Sequence, residues 1–212
     1  MVSKKIKVST ILDTKKIKKG DFTNQIPEFY ELKKVIENND WHDNDSVFNH
    51  TLTVLSHLEK ILKKTKKAIL RYLDKKIDSC TRKEILFLAT IFHDIAKKEA
   101  IVREGTKTRT PGHEKEGAKK VRKILPRFNL SYREKGFIAE IIKNHDTVHL
   151  FLKSNTKDRD KSLSKFKDDS NVFWEVMLLG MADTLGCQPK GKVVTSEVKA
   201  RMKFYKKLLF NS

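Results

Sequence analysis

An all-α fold is expected, and three features of the 212-residue sequence predict it. Eight Gly and four Pro are too few for a sandwich or barrel built on tight turns. Apolar residues recur three and four apart in a background rich in Lys, Glu, Leu and Ile, the period of amphipathic helices. Thr81-Arg82-Lys83-Glu84 and Ser131-Tyr132-Arg133-Glu134 are capping boxes, which open helices by satisfying their first free N–H groups. An apolar share of 38% with twelve Phe suits one well-cored domain.

Residues 1–22 alternate lysines with Ile6, Val8, Ile11 and Ile17 without a clean period, and are expected as a basic arm or short peripheral segment before a domain over 23–212. A helix is expected after Pro27, through Phe29, Leu32 and Ile36 to Asn38. The polar stretch 39–46 reads as a loop with Asp45 or Ser46 as the cap of the next helix. That helix carries Phe48, Leu52, Leu55 and Leu62, with His50 in its first turn. His57 lies seven residues on, about 10 Å along the axis, and cannot share an ion with His50. A polar helix through Ile69, Leu70 and Leu73 leads to Cys80.

The helix opened by Thr81 is apolar on nearly every face, from Ile85 to Phe92, so it belongs in the core. Yet it runs into His93-Asp94-Ile95-Ala96-Lys97. Burying an imidazole, a carboxylate and an ammonium costs several kcal/mol, on the order of a domain's net stability, unless they are paired or hold a metal. Residues 104–112 read as an exposed loop, and loops 99–112 and 147–170 would wall a pocket. His113 starts a helix with Ala118, Val121, Leu125 and Phe128 inward, closed or bent by Pro126. The helix from Ser131 buries Ile138, Ile141 and Ile142 and puts His145 on the same stripe, while His149 is expected to face a loop. Residues 153–169 read as a charged linker. A second oily helix from about Asn171 contains Asp183 in register with Val176 and Leu179, where a carboxylate needs a partner. A final amphipathic helix runs from Ser196 to Leu209.

Forty-six basic and twenty-seven acidic residues give a net charge of +19, a field attractive to polyanions. The lysines are scattered singly, without the arginine and aromatic clusters of a sequence-specific RNA binder, so the charge favours a phosphate-bearing ligand. No apolar run approaches a membrane span and no signal-peptide core follows the basic N-terminus; with Cys80 and Cys187 outside any disulfide or CxxC pattern, a cytoplasmic protein is expected.

His50, His93, Asp94, His113, His145 and Asp183 thus fall at the ends or on the buried faces of helices. The plainer reading of each alone is a satisfied core residue or a fraying helix end. Their order, His…His-Asp…His…His…Asp, resembles the HD-domain superfamily of metal-dependent phosphohydrolases over roughly residues 28–186. Asn49-His50-Thr51-Leu52-Thr53-Val54-Leu55 looks like that family's first-histidine helix, and His93-Asp94-Ile95-Ala96-Lys97 like its name-giving motif. Pro111-Gly112-His113-Glu114-Lys115-Glu116-Gly117-Ala118 is similar to the version in the HD domain of bacterial tRNA nucleotidyltransferases.

The resemblance implies an HD helical bundle with the metal site between core helices. His50, His93, Asp94 and Asp183 would hold one divalent ion, and Asp94 would bridge to a second held by His113 and His145. Such ligands suit Mn, Fe, Co, Ni or Mg without choosing among them. The implied chemistry is attack of an activated water on phosphorus, with Asp94 and Lys97 catalytic and Lys97 also binding the substrate phosphate. A nucleotide or an RNA end, including a 2′,3′-cyclic phosphate, is the expected substrate. No Gly-Ser loop with paired carboxylates is present, so CCA addition is not expected. Two alternatives are a single-metal 5′-nucleotidase and a basic RNA-binding module with a structural metal.

Overall fold

The computed structural model describes residues 5–153 and 156–210. It is mostly helical, as expected, and no described helix is long and apolar enough to cross a membrane. Residues 1–4 of the expected N-terminal arm, and 154–155 of the expected linker, lie outside the described residues.

The rest of the N-terminal segment is not peripheral. Val8, Ile11 and Ile17 are buried in the main core, and α1 (Thr14–Lys19), capped by Asp13, packs on α3. Ile6 pairs its backbone with Arg127 and Asn129, stitching this segment to the far side of the domain. Helix α2 (Pro27–Glu31) gives way to a 3-10 turn and then to β1 (Ile36–Glu37), not to a helix through Asn38. Strand β1 pairs antiparallel with β2 (Asp45–Ser46), so the expected loop 39–46 spans a small hairpin. Ser46 then accepts from the Asn49 N–H and opens α3 (Val47–Leu62). Helix α4 (Lys67–Leu73) stops well short of Cys80.

Helix α5 (Arg82–Phe92), with its capping box formed as expected, is the centre of the molecule: every residue from Ile85 to Phe92 is buried. Helices α3, α8 and α11 pack around it. After the one-turn α6 (Lys97–Ala100), the chain forms a hairpin of β3 (Val102–Glu104) and β4 (Lys107–Arg109) where an irregular loop was expected. Gly105, at φ +59°, allows its tight turn. The Thr108 N–H donates to the Asn38 carbonyl and the Thr108 Oγ1 accepts the Asn38 N–H, both at 2.8 Å, docking the second hairpin on the first.

Helices α7 (His113–Ile124) and α8 (Tyr132–Asn144) pack together, followed by α9 (Thr147–Lys153) and α10 (Thr156–Asp169). The expected charged linker is thus largely helical. Its Leu163 and Phe166, three residues apart, rest on the core, and Phe166 meets Phe173 at 6.0 Å between ring centroids. Helix α11 (Phe173–Gly186) is the second oily helix, buried on nearly all sides and packed on α3. Helix α12 (Gly191–Leu209) closes the bundle with Tyr205 and Leu209 inward, starting a turn earlier than its amphipathic pattern suggested. Gly180 of α11 lets α12 approach: a Cβ there would overlap the Tyr205 hydroxyl.

Candidate metal centre

Four helices deliver imidazoles to one point because of where each of them begins or ends. His50 sits in the first turns of α3, behind the Ser46 cap. His93 caps the C-terminus of α5, and Asp94 follows in the turn before α6. His113 is the first residue of α7, set by Gly112 in the left-handed region at φ +71°. His145 caps the C-terminus of α8, and Asp183 projects from α11. All six side chains are at least nine-tenths buried as residues.

The orientation of the rings follows from their backbone contacts. His93 Nδ1 lies 2.8 Å from the Thr90 carbonyl, His113 Nδ1 2.8 Å from Thr110 and His145 Nδ1 2.7 Å from Ile142. His50 Nδ1 faces the Gly186 carbonyl at 3.4 Å. A carbonyl can only accept, so each Nδ1 carries a proton and each ring turns its Nε2 inward, where that atom can take a second proton or a metal ion. This is the arrangement that orients imidazole toward a metal and fixes its tautomer.

The inward atoms then form two groups joined by Asp94. His50 Nε2 is 2.8 Å and His93 Nε2 3.6 Å from Asp183 Oδ1; the same two nitrogens are 3.7 and 3.2 Å from Asp94 Oδ2. On the other side, His113 Nε2 and His145 Nε2 lie 3.3 Å apart, and 3.3 and 3.9 Å from Asp94 Oδ1. Each group has the composition and closeness of a metal-binding cluster.

Two of these buried atoms, His93 Nε2 and Asp94 Oδ2, have no hydrogen-bond partner. The Lys97 ammonium stands 3.0 Å from Asp94 Oδ2, outside hydrogen-bonding geometry, and donates to Glu37 Oε2 at 2.9 Å. Buried polar atoms are rarely left orphaned, and a divalent cation between the two groups would satisfy them. The residues present fit such an ion.

The electrostatics point the same way. Burial alone would lower the His93 imidazole, but the Asp94 and Asp183 carboxylates outweigh it and push it up to about 10. Burial would raise Asp94 and Asp183; the imidazoles around both, with Lys97 beside Asp94, hold them well below the usual carboxylate range. The site therefore binds positive charge strongly, a proton or a metal competing for the same Nε2 atoms.

The centre opens into a cavity of about 380 Å³. Its walls are not the expected 99–112 and 147–170 alone: Glu37, Trp41 and His42 come from the first hairpin and Arg201 from α12. Gln188 N–H and Lys190 N–H donate to the Trp41 and Asp40 carbonyls at 2.7 and 2.8 Å, fixing this hairpin against the start of α12. His42 stands edge-on to His50 at 4.7 Å, and burial, with Lys97 nearby, lowers it to about 4. Asp146 reaches within 3.6 Å of His145 Nε2 and 3.8 Å of His113 Nε2. The sequence signal for it was present, since His145-Asp146 repeats the His93-Asp94 doublet. His149, expected at a loop, instead lines the cavity: its Nε2 accepts from Arg201 Nη1 at 2.7 Å. Nothing near them in the sequence marks Trp41 and His42, which sit together in a polar stretch, or Arg201, one basic residue among many on α12.

Among known families, the model of the HD domain matches residues 47–166, more than half of the chain. The matched stretch contains every clustered histidine and Asp94; Asp183, Trp41 and Arg201 lie outside it.

Proposed function

This chain belongs to the HD-domain family, and on that premise we propose that it is a phosphohydrolase that cleaves a phosphate ester of a nucleotide or an RNA end. HD domains are metal-dependent hydrolases, so the coarse activity follows from the family; the substrate class and the role of each residue are our reading. The observation that carries it is the pair of orphaned buried atoms, His93 Nε2 and Asp94 Oδ2, facing each other at 3.2 Å.

In this reading His50, His93, Asp94 and Asp183 would hold one divalent ion, and His113 and His145, with Asp94, would hold a second. Bound there, such ions supply an activated water and Lewis-acid stabilisation of phosphoryl oxygens. The backbone carbonyls of Thr90, Thr110 and Ile142 keep the Nδ1 protons in place, so each ring presents its Nε2 to the centre. Asp94 is the shared ligand. Lys97 holds it electrostatically and adds a positive charge beside the position of the substrate phosphate, where charge accumulates during attack. Burial opposes the Lys97 charge, but Asp94 and Glu37 raise its pKa well above the usual lysine range, so it stays protonated.

A single-ion nucleotidase would leave His113 and His145 without work. Their Nε2 atoms stand 3.3 Å apart with both Nδ1 protons already committed, a contact that favours the two-ion reading. The similarity of residues 111–118 to the tRNA nucleotidyltransferase HD domain makes 2′,3′-cyclic phosphates the first substrates to test.

The test is hydrolysis of 2′,3′-cyclic AMP and a panel of mononucleotides with Mn²⁺, Ni²⁺ or Mg²⁺, beside Asp94→Ala. Metal-dependent turnover that vanishes in the variant supports the reading. A folded, metal-loaded protein that turns over none of them overturns the small-nucleotide substrate, and salt-sensitive RNA binding without turnover would favour the binding-module alternative.

A further inference from the structure

Lys97 is not the only cation at the cavity, and it is the more heavily neutralised of two. Its ammonium touches both Asp94 and Glu37. Arg201 is equally buried, at 5% exposure, and lines the same cavity. Among the described residues its only carboxylate partner is Glu197, 3.5 Å away and half-exposed. Its other contacts are neutral: the Trp41 ring, whose centroid lies 4.1 Å from the guanidinium carbon, and His149 Nε2.

A guanidinium has only donors, so His149 Nε2 must be unprotonated and the ring carries its proton on Nδ1, on the side of Asp146. The Trp41 indole lies nearly parallel to that imidazole, at 11°. Indole and imidazole together hold the guanidinium in place. A buried cation whose one counter-charge is a long pair with a half-exposed carboxylate is under-neutralised until a ligand adds negative charge, and the planar fork of arginine matches phosphate oxygens in pairs.

We propose that Arg201, held by Trp41 and His149, is a second anion subsite that binds a non-reacting phosphate of the substrate. The proposal deepens the phosphohydrolase reading and rests on it for the position of the reacting phosphate. It selects substrates that carry two phosphate groups, either on one nucleotide or as the next linkage of an RNA end. Trp41 and Arg201 lie outside the matched family segment and His149 within it, so the guanidinium and the ring it packs on come from the chain's flanking elements.

The experiment titrates Mg²⁺-loaded protein with adenosine 5′-monophosphate, adenosine 3′,5′-bisphosphate and the 5′-phosphorylated dinucleotide pApA, reading tryptophan fluorescence. Trp41→Phe identifies the part of the signal that comes from Trp41 rather than Trp174. Expected is a preference of about tenfold for at least one ligand with a second phosphate, the gain of one charge-assisted pair. The ligand that gains it identifies the source of the second phosphate. In Arg201→Gln the preference should collapse to about twofold or less, with Arg201→Lys between the two. Equal affinity for all three ligands in the unsubstituted protein overturns the proposal, and that comparison needs no variant to fold. So does an equal weakening of all ligands in Arg201→Gln, which would mean that Arg201 only braces α12. Turnover measured on the same ligands separates the two readings. A preference without hydrolysis keeps the subsite and removes the hydrolase; hydrolysis without a preference does the reverse.

Discussion

At the scale of single residues, the centre is defined by conflicts that only a cation resolves. His145 makes the point most directly, since Ile142 accepts its Nδ1 proton and its Nε2 meets the His113 Nε2 at 3.3 Å. His145→Ala should reduce turnover about a hundredfold or more, because even outer partners of metal ligands are worth about 10–100-fold. Steady-state kinetics at saturating Mn²⁺ checks this, and a loss under threefold would favour a single-ion enzyme. Lys97→Met leaves Asp94 and Glu37 buried without their shared cation. Unfolding by urea in the absence of metal should show a loss of about 3 kcal/mol.

Four of these six side chains were legible in the sequence for a physical reason. His93, Asp94, His145 and Asp183 break the burial rule on apolar helix faces, whereas His50 and His113, in the first turns of their helices, joined the set through the resemblance of the motif order. Trp41, His149 and Arg201 break no rule in their own neighbourhoods. Their meaning arises only when residues 41, 149 and 201 meet, and such long-range pairing leaves no local trace. Asp146 lay between the two cases: its doublet with His145 was readable, but its place outside the apolar stripe hid it.

At the scale of elements, Glu134 joins α8 to the turn before α5. Fully buried, it accepts the N–H groups of Ser79 at 2.7 Å, Cys80 at 2.6 Å and Ser131 at 2.8 Å. Burial would raise its pKa, but these donors outweigh it and bring it below the usual 4.5. The carboxylate therefore stabilises the fold fully above that value, and the contribution is lost as pH falls through the lowered folded-state pKa. Glu134→Gln should cost about 2 kcal/mol at neutral pH, and the gap to the unsubstituted protein should narrow in acid. Urea unfolding at several pH values measures it; a gap that widens as pH falls would contradict this sign.

Gly180 carries the second prediction at this scale. An added Cβ meets the hydroxyl of Tyr205, a fully buried ring with little room to move. Gly180→Ala should destabilise by about 1–3 kcal/mol despite alanine's better helix propensity. Tyr205→Phe, which removes a hydroxyl that makes no hydrogen bond, should restore most of it. The bundle itself was legible from capping boxes and helical spacing. The hairpin over 102–109 was not, because its strands carry little apolar alternation, with only Thr108 buried. Helix α10 was hidden by its charge, with Leu163 and Phe166 the sole trace of an inner face.

At the scale of the whole molecule, the family segment supplies the two-sided centre while flanking elements supply its surroundings. The N-terminal segment completes the core, the first hairpin and α12 wall the cavity, and α11 brings Asp183. An ion that binds only the folded chain stabilises it by mass action, by about 2.7 kcal/mol at a hundred times its Kd. The melting temperature should therefore rise with Mn²⁺ concentration, and by less at each concentration in Asp94→Ala. The net charge of +19 adds a long-range attraction for phosphate ligands that should weaken with salt, whereas the centre's own affinity should be screened much less.

The central claim is that two buried donor sets sharing Asp94 form a metal centre. Its most direct test is a calorimetric titration of chelator-stripped protein with Mn²⁺. The account expects two ions per chain, one lost in His145→Ala and both weakened in Asp94→Ala. A folded protein that binds no ion, or that binds equally well without Asp94, would contradict it.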